Sequence, residues 1–174
     1  MPRRTDNPQN DTRRVLDSIR RIVKVLRVAS RDSEKRVGLS GAQLFVLHKL
    51  AEGGVLSVNE LAERTHTHQS SVSVVVHRLA ERGMVDLERS AADARQAQIR
   101  VTPAGKSVLR SAPAAAQDRL IGALKHLPRK DVRQLADSLE RLLKGIGIDG
   151  VAAAPMLFED ESPRSRRSAK KKRK

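Results

Sequence analysis

The sequence predicts a mainly α-helical fold with a small β-wing, a winged helix-turn-helix, because its hydrophobic period changes at Gly83. Before Gly83, apolar residues recur at helical spacing in two short segments separated by a polar turn. After Gly83, they alternate with polar residues in two stretches, Val85–Arg89 and Ala97–Val101, which is typical of paired strands. The polar gap between these stretches predicts the tip of a hairpin.

The N-terminal part contains one long predicted helix. Residues 1–10 are polar, include two prolines and show no hydrophobic period, so we expect them to be disordered. From Asp11 to about Gly38, apolar residues repeat at alternating steps of four and three, which indicates an amphipathic helix. The repeat consists of Val15, Ile19, Ile22, Leu26 and Ala29. The basic residues of this helix either form a solvated face or contact the phosphates of a nucleic acid.

Two helix starts carry the same capping chemistry. Ser40 precedes Gln43, and Ser57 precedes Glu60, at the spacing of a capping box. The first box predicts a helix that ends near Glu52, where two glycines follow, and residues 55–56 add a third short strand to the wing. The second box predicts a short helix from Val58 to about Thr65.

The next helix carries the most informative pattern. Thr67 is predicted to cap it, and it starts at His68 and ends at Gly83. Its buried stripe consists of Val72, Val75, Val76 and Leu79. Its opposite face carries Gln69, Ser70, Ser73, Val74, His77 and Arg78. Since a β-branched residue gains nothing on a solvated face, we expect Val74 to meet thymine methyls in the major groove.

The C-terminal half predicts further helices separated by prolines. Thr102 caps a helix with Pro103 at its first position, and Pro113 kinks or splits that helix. Pro128 opens a last helix whose apolar stripe needs a partner. The stripe consists of Val132, Leu135, Leu139, Leu142, Leu143 and Ile146.

Composition favours a nucleic-acid partner. The 174 residues carry a formal charge of +15, to which the last twelve residues contribute eight basic side chains. A polyanionic partner explains this surplus, with solubility as the alternative. Two phenylalanines, with no tryptophan or tyrosine, provide little base stacking, which favours duplex DNA over single strands. No apolar run is long enough to span a membrane and no signal peptide is present, so we expect a cytoplasmic protein.

The sequence contains no pattern of catalysis or of a cofactor site. There is no cysteine, which excludes disulfides and thiolate chemistry, and no nucleophile elbow or carboxylate-supported histidine pattern occurs. His66, His68 and His77 suggest a zinc site, but without cysteine or a histidine pair four residues apart their spacing is weak. We therefore expect neither an enzyme nor a metal or other cofactor.

Several short motifs, in order and spacing, resemble the MarR family of bacterial transcriptional regulators over about residues 11–146. They are Leu61-Ala62, Ser71-Val72-Ser73, Arg78-Leu79, Glu81-Arg82-Gly83-Met84-Val85, Asp93-Ala94-Arg95 and Thr102-Pro103-Ala104-Gly105. The resemblance implies that Asp93 braces the wing tip and that Arg95 enters the minor groove. Two departures, Gln96 and Val74 where many members have basic residues, suggest that an unusual DNA sequence is recognised.

The resemblance and the helical phase together define the candidate sites. The expected DNA-binding residues are Thr67, His68, Gln69, Ser70, Ser71, Ser73, Val74, His77, Arg78, Arg89, Asp93 and Arg95. The family places aromatic carboxylate or phenolic ligands between its first helices and the DNA-binding module. The candidate lining of such a pocket is Ile22, Leu26, Phe45 and His48, although the first interpretation of His48 is a packed or hydrogen-bonded histidine. In the family, the first and last two helices intertwine into a homodimer.

The resemblance implies one domain, residues 11–150, followed by a linker, 151–163, and a disordered basic tail, 164–174. Phe158 leaves a choice between a loosely docked linker and a regulatory plug. We expect a dimeric, sequence-specific regulator of transcription, a repressor, whose affinity for double-stranded DNA is modulated by a small-molecule effector. The alternative is an architectural protein that binds DNA with weak specificity.

Overall fold

The computed structural model describes residues 8–89, 97–148 and 156. Within these residues the elements follow in the order α1 (Pro8–Val37), α2 (Gly41–Gly53), β1 (Leu56–Ser57), α3 (Val58–Thr65), α4 (Gln69–Glu81), β2 (Val85–Arg89), β3 (Ala97–Val101), α5 (Pro103–Ser111), α6 (Ala116–Lys125) and α7 (Arg129–Gly145). This order confirms the predicted mainly helical fold with a small β-wing. None of the described helices is long and apolar enough to cross a membrane.

Both predicted capping boxes are present, and they define where α2 and α3 begin. The Ser40 hydroxyl accepts a hydrogen bond from Gln43 N (3.3 Å), and Ser40 N donates to Gln43 Oε1 (3.0 Å). Ser57 N donates to Glu60 Oε2 (2.7 Å), and Glu60 N donates to the Ser57 hydroxyl (3.3 Å). Hydrogen bonds from the backbone and the hydroxyl of Ser57 stabilise the Glu60 carboxylate and hold the pKa of Glu60 below its ordinary value.

The strands form one antiparallel sheet in the order β1-β3-β2, which confirms the predicted third strand. Ile99 of β3 pairs with Leu56 of β1 and with Leu87 of β2. Ile99 and Val85 are buried, whereas Leu87 is exposed. The sheet is therefore packed on the core through Val85 and Ile99.

The core lies between α2, α3, α4 and the sheet. Phe45 and its neighbours on α2 are buried, and Leu61 of α3 packs in the same cluster. On α4 the predicted stripe is buried in full, at Val72, Val75, Val76 and Leu79. Because one face of α4 is held by this core, its opposite face is left exposed in a defined orientation.

In the connection from the sheet to α5, the backbone at Gly105 lies close to the backbone at Met84. The Thr102 hydroxyl accepts from Gly105 N (3.0 Å) and donates to the Gly83 carbonyl (2.7 Å). A Cβ atom at Gly105 would overlap the Met84 carbonyl oxygen, so only glycine fits here. The helix around Pro113 is split, as predicted, because α5 ends at Ser111 and α6 begins at Ala116.

An ion pair joins α6 to α2. Lys49 Nζ lies 2.6 Å from Asp118 Oδ1 and 2.9 Å from Glu52 Oε2, and 5.8 Å from the centre of the Phe45 ring. Burial by itself lowers the pKa of Lys49, but the hydrogen bonds to Asp118 and Glu52 outweigh burial and raise this pKa above its ordinary value. The charged form of Lys49 thus helps to seat α6 on α2.

The two terminal helices leave most of their apolar residues uncovered. α1 begins at Pro8, three residues before the predicted start, because the fixed φ of proline suits a first helical turn. Residues 8–10 therefore belong to α1 and not to the predicted disordered terminus. Within the described residues α7 buries none of its side chains. The exposed apolar side chains of the two helices include Val15, Leu16, Ile19, Ile22, Val23, Leu135, Leu139, Leu142 and Leu143.

Candidate nucleic-acid interface

The turn between α3 and α4 sets the direction of α4. α3 ends at Thr65, whose buried hydroxyl donates to the Leu61 carbonyl (2.8 Å). His66 follows in the left-handed conformation with φ 51°, which is uncommon for a residue with a side chain. Thr67 N then donates to the Ala62 carbonyl (3.0 Å), which closes the end of α3. These hydrogen bonds produce a tight turn, as a helix-turn-helix requires.

The N-terminus of α4 differs from the prediction. Thr67 was expected to cap α4, but its hydroxyl donates to the Thr65 carbonyl (3.0 Å) and is half-buried. His68 is the N-cap residue, and it makes no side-chain hydrogen bond to the helix. Thr67 does not cap α4 because the helix begins at Gln69, which leaves Thr67 one position before the N-cap. An end without a side-chain cap and with a positive dipole suits a DNA phosphate.

The solvent face of α4 carries the side chains that the helical phase predicts. Val74 is 44% exposed, the highest apolar exposure on this helix. The other exposed side chains of this face are Gln69, Ser70, Ser73 and His77. The hydroxyl and amide groups offer donors and acceptors for base edges, and Val74 offers methyl groups at their centre. The face thus has the chemistry that reads a major groove.

Two predicted DNA-binding residues lie elsewhere. Ser71 is buried, because it lies four residues before Val75 and therefore shares the buried face of α4. Arg78 is half-buried, because it lies three residues after Val75, at the edge of the same face. Ser71 therefore cannot reach a base edge without moving, and Arg78 is placed at the margin of the exposed face.

The wing is described at its two strands. Arg100 of β3 lies 3.5 Å from Glu88 of β2, and both side chains are exposed. Asp93 and Arg95, predicted for the wing tip, lie outside the described residues, as does the side chain of Arg89. In the sheet register Arg89 of β2 pairs with Ala97 of β3, and this pair is the last one before the predicted tip.

A cavity of about 420 Å³ opens beside the α3–α4 turn. Of the four predicted pocket residues, Phe45 alone is among those that line this cavity. Ile22 is exposed on α1 and Leu26 is buried, while His48 is half-buried with its Nε2 buried and without a hydrogen-bond partner among the described residues. The full lining is Phe45, Thr65, His66, Thr67, His68, Gln117, Leu120, Ile121, Leu124 and Met156.

Sequence reasoning missed the wall that α6 and Met156 provide. The helical period of Leu120, Ile121 and Leu124 was visible, but it does not say which partner they face. In the part of the chain that the structure describes, no group of three or more histidine or acidic side chains is arranged to hold a metal ion.

Comparison with known proteins places the chain among DNA-binding regulators. The model of the MarR family matches residues 37–96. The HTH-type transcriptional regulator ML2140 of Mycobacterium leprae is 31% identical over 129 residues, which cover 72% of this chain and 87% of that protein. The HTH-type transcriptional repressor MdtR of Bacillus subtilis is 26% identical over 118 residues, or 68% of this chain and 76% of that protein.

A solved structure shares the fold. Sco3205, a MarR family transcriptional regulator from Streptomyces coelicolor, was crystallised in complex with DNA. It aligns with a TM-score of 0.54 and 24% identity, over 82% of this chain and 92% of that chain. The similarity in fold therefore extends over most of this chain.

Proposed function

This chain belongs to the MarR family of transcriptional regulators, DNA-binding proteins that are not enzymes, and from this we propose that it is a dimeric, sequence-specific repressor with ligand-modulated DNA affinity. The observation that carries the proposal is the exposed face of α4. The buried stripe of α4 fixes the helix on the core. The opposite face therefore presents polar groups around Val74 to solvent. A protein that binds DNA with weak specificity needs positive charge to contact phosphates. It does not need an apolar side chain placed to contact bases.

We assign the base contacts to Gln69, Ser70, Ser73, Val74 and His77, which are exposed together. His68 and the N-terminus of α4 would hold a phosphate, which positions the helix in the groove. This surface would be supported at its margin by Arg78 and from the buried side by Ser71. Thr67 would support it from the α3–α4 turn. By resemblance, Arg95 is assigned to the minor groove and Asp93 to bracing the wing tip. Arg89, at the end of β2, is proposed as a further DNA contact.

The uncovered faces of α1 and α7 support a dimer. Apolar side chains at helical spacing leave a continuous stripe on each of these helices, and such stripes require a partner. A second copy of the chain supplies the same stripes, so a twofold interface covers both. Two α4 helices related by this twofold would enter successive major grooves.

Ligand modulation is supported by the cavity beside the α3–α4 turn, because its lining includes the residues that orient α4. The role as a repressor follows the similarity to the Bacillus subtilis repressor. We further propose a cytoplasmic location, one domain that begins with α1 at Pro8 and extends to about residue 150, and a basic tail that adds affinity independent of sequence.

Selection from random duplex DNA tests this function. The wild-type chain should enrich a pseudo-palindrome with half-sites about 10 base pairs apart. Val74→Ala and Ser70→Ala should each enrich altered bases, because each removes a group from the exposed face of α4. Val55→Ala is the matched control, since Val55 is 41% exposed but lies outside α4.

The alternative, an architectural DNA-binding protein, predicts a different result. Such a protein would enrich no motif, and its affinities for selected and random DNA would be similar. A regulator needs a ratio of about 10³ or more between these affinities. An unchanged motif in Val74→Ala would show that α4 is oriented differently from our assignment.

A further inference from the structure

Two buried serines of α1 form hydrogen bonds to the segment that connects α1 to α2. The Ser33 hydroxyl donates to the Leu39 carbonyl (2.7 Å), and the Ser30 hydroxyl accepts from Gly41 N (3.0 Å). Ser30 is 4% exposed and Ser33 is 1% exposed. Because Gly41 is the first residue of α2, these hydrogen bonds attach the side of α1 directly to the start of α2.

The contact between α1 and the start of α2 is also tight. A Cβ atom at Gly41 would lie 3.2 Å from both the Cβ and the hydroxyl of Ser30. Apolar contacts between helices have no preferred direction, whereas a hydrogen bond weakens steeply when its angle changes. The two serines therefore fix the angle at which α1 crosses α2.

The end of α4 is bonded to the same connection. Arg82, the C-cap residue of α4, donates from Nη1 to Gln43 Oε1 (3.3 Å). The same oxygen accepts from Ser40 N (3.0 Å). Since α2 and α4 also share one apolar core, the orientation of α4 follows that of α2. The angle between α1 and α2 thus sets the direction of α4 relative to α1.

We propose that Ser30 and Ser33 are positioning residues that fix the spacing between the two α4 helices of the dimer. The inference rests on the dimer proposed above, in which the partner copy holds α1. The angle between α1 and α2 then determines how far apart the two α4 helices lie. One base pair corresponds to about 3.4 Å along DNA and about 35° around it, so a small change of this angle alters which half-site spacing is bound.

Binding to operators of altered spacing tests the inference. The perturbation is Ser30→Ala together with Ser33→Ala, which removes both hydroxyls and introduces a residue that is favourable in helices. The measured quantity is the affinity for the selected operator divided by the affinity for the same operator with one base pair inserted between its half-sites. In the double variant this ratio should fall by about fivefold, the factor that one ordinary hydrogen bond contributes to an equilibrium. The half-site motif selected from random DNA should stay as in wild type.

Ser18→Ala is the matched control. Ser18 is an exposed serine of the same helix, and its hydroxyl donates to the Arg14 carbonyl (2.8 Å) within α1. This variant should keep the wild-type ratio, because it loses no bond to α2. An equal ratio in the double variant and in this control would overturn the inference, as would a changed half-site motif in the double variant.

Distances between spin labels test the geometry without DNA. The chain has no cysteine, so Arg21→Cys on α1 and Glu63→Cys on α3 provide two exposed labelling sites. The labelled chain is mixed with an excess of unlabelled chain, so that a dimer carries labels on one copy alone. Pulsed electron paramagnetic resonance should give a broader distribution of distances in the serine double variant than in wild type or Ser18→Ala. An unchanged width would contradict a role of the serines in fixing α1.

This inference and the proposed function fail on different results. A wild type that selects no paired half-sites would refute the dimeric regulator and, with it, the role of the serines in spacing. A wild type that selects paired half-sites, together with an unchanged spacing ratio in the double variant, would refute the inference alone.

Discussion

Charged substitutions on α7 should convert the proposed dimer into folded monomers. Leu139 and Leu142 lie three residues apart on one face of α7 and are 44% and 43% exposed. We take Leu139→Asp together with Leu142→Asp as the perturbation. Since α7 buries none of its residues within the described chain, the substitutions remove no contact from the core.

The magnitude follows from the exposed fraction. Complete burial of a leucine is worth about 1.5–3 kcal/mol, so covering the exposed part of each side chain is worth about 1 kcal/mol. A twofold interface contains every position twice, so two substituted positions remove about 4 kcal/mol. This loss raises the dimer dissociation constant about a thousandfold. The buried carboxylates add a further penalty of the same sign.

Sedimentation equilibrium over a series of protein concentrations measures this constant. Leu87→Asp is the matched control, because Leu87 is 45% exposed but lies on the wing. Circular dichroism should show the same helix content for both variants and wild type. A double variant that sediments as wild type does, or a wild type that is monomeric, would refute an interface formed by α7.

Three further predictions concern stability and the tail. Gly105→Ala should destabilise the chain by about 1–3 kcal/mol in chemical unfolding because of overpacking, whereas Gly122→Ala, with open space around it, should be neutral or slightly stabilising. The lowered pKa of Glu60 gives a stabilisation that is complete above its unfolded pKa and is lost as the pH falls through its folded pKa. The difference in thermal midpoint between wild type and Glu60→Gln should therefore shrink below about pH 4.5, and a constant difference would contradict this. Deletion of residues 163–174 removes eight basic side chains and should make the slope of log affinity against log salt concentration less steep, by roughly 7 at most. Operator and random DNA should be affected alike. An unchanged salt slope would show that the tail does not contact DNA.

Local chemistry made much of the fold predictable. The capping boxes at Ser40 and Ser57 and the buried stripe of α4 were predicted correctly. Both depend on residues three or four apart, and such spacings are visible in a sequence. The cap of α4 was predicted wrongly, because α4 begins one residue later than expected and His68, not Thr67, is its N-cap residue. Thr67 and His68 are adjacent, and the local sequence does not decide which of the two precedes the first helical residue.

The candidate pocket required the tertiary structure. Ile22, Leu26 and His48 were chosen from position along the chain, whereas the cavity is formed where α6 and Met156 meet the α3–α4 turn. By itself, the sequence determined most of the exposed face of α4, because helical phase separates a buried face from an exposed one, but it did not predict that Ser71 is buried. Only the tertiary structure decided that Met156 lies beside Phe45, because packing between distant segments depends on shape and volume, which no local period encodes.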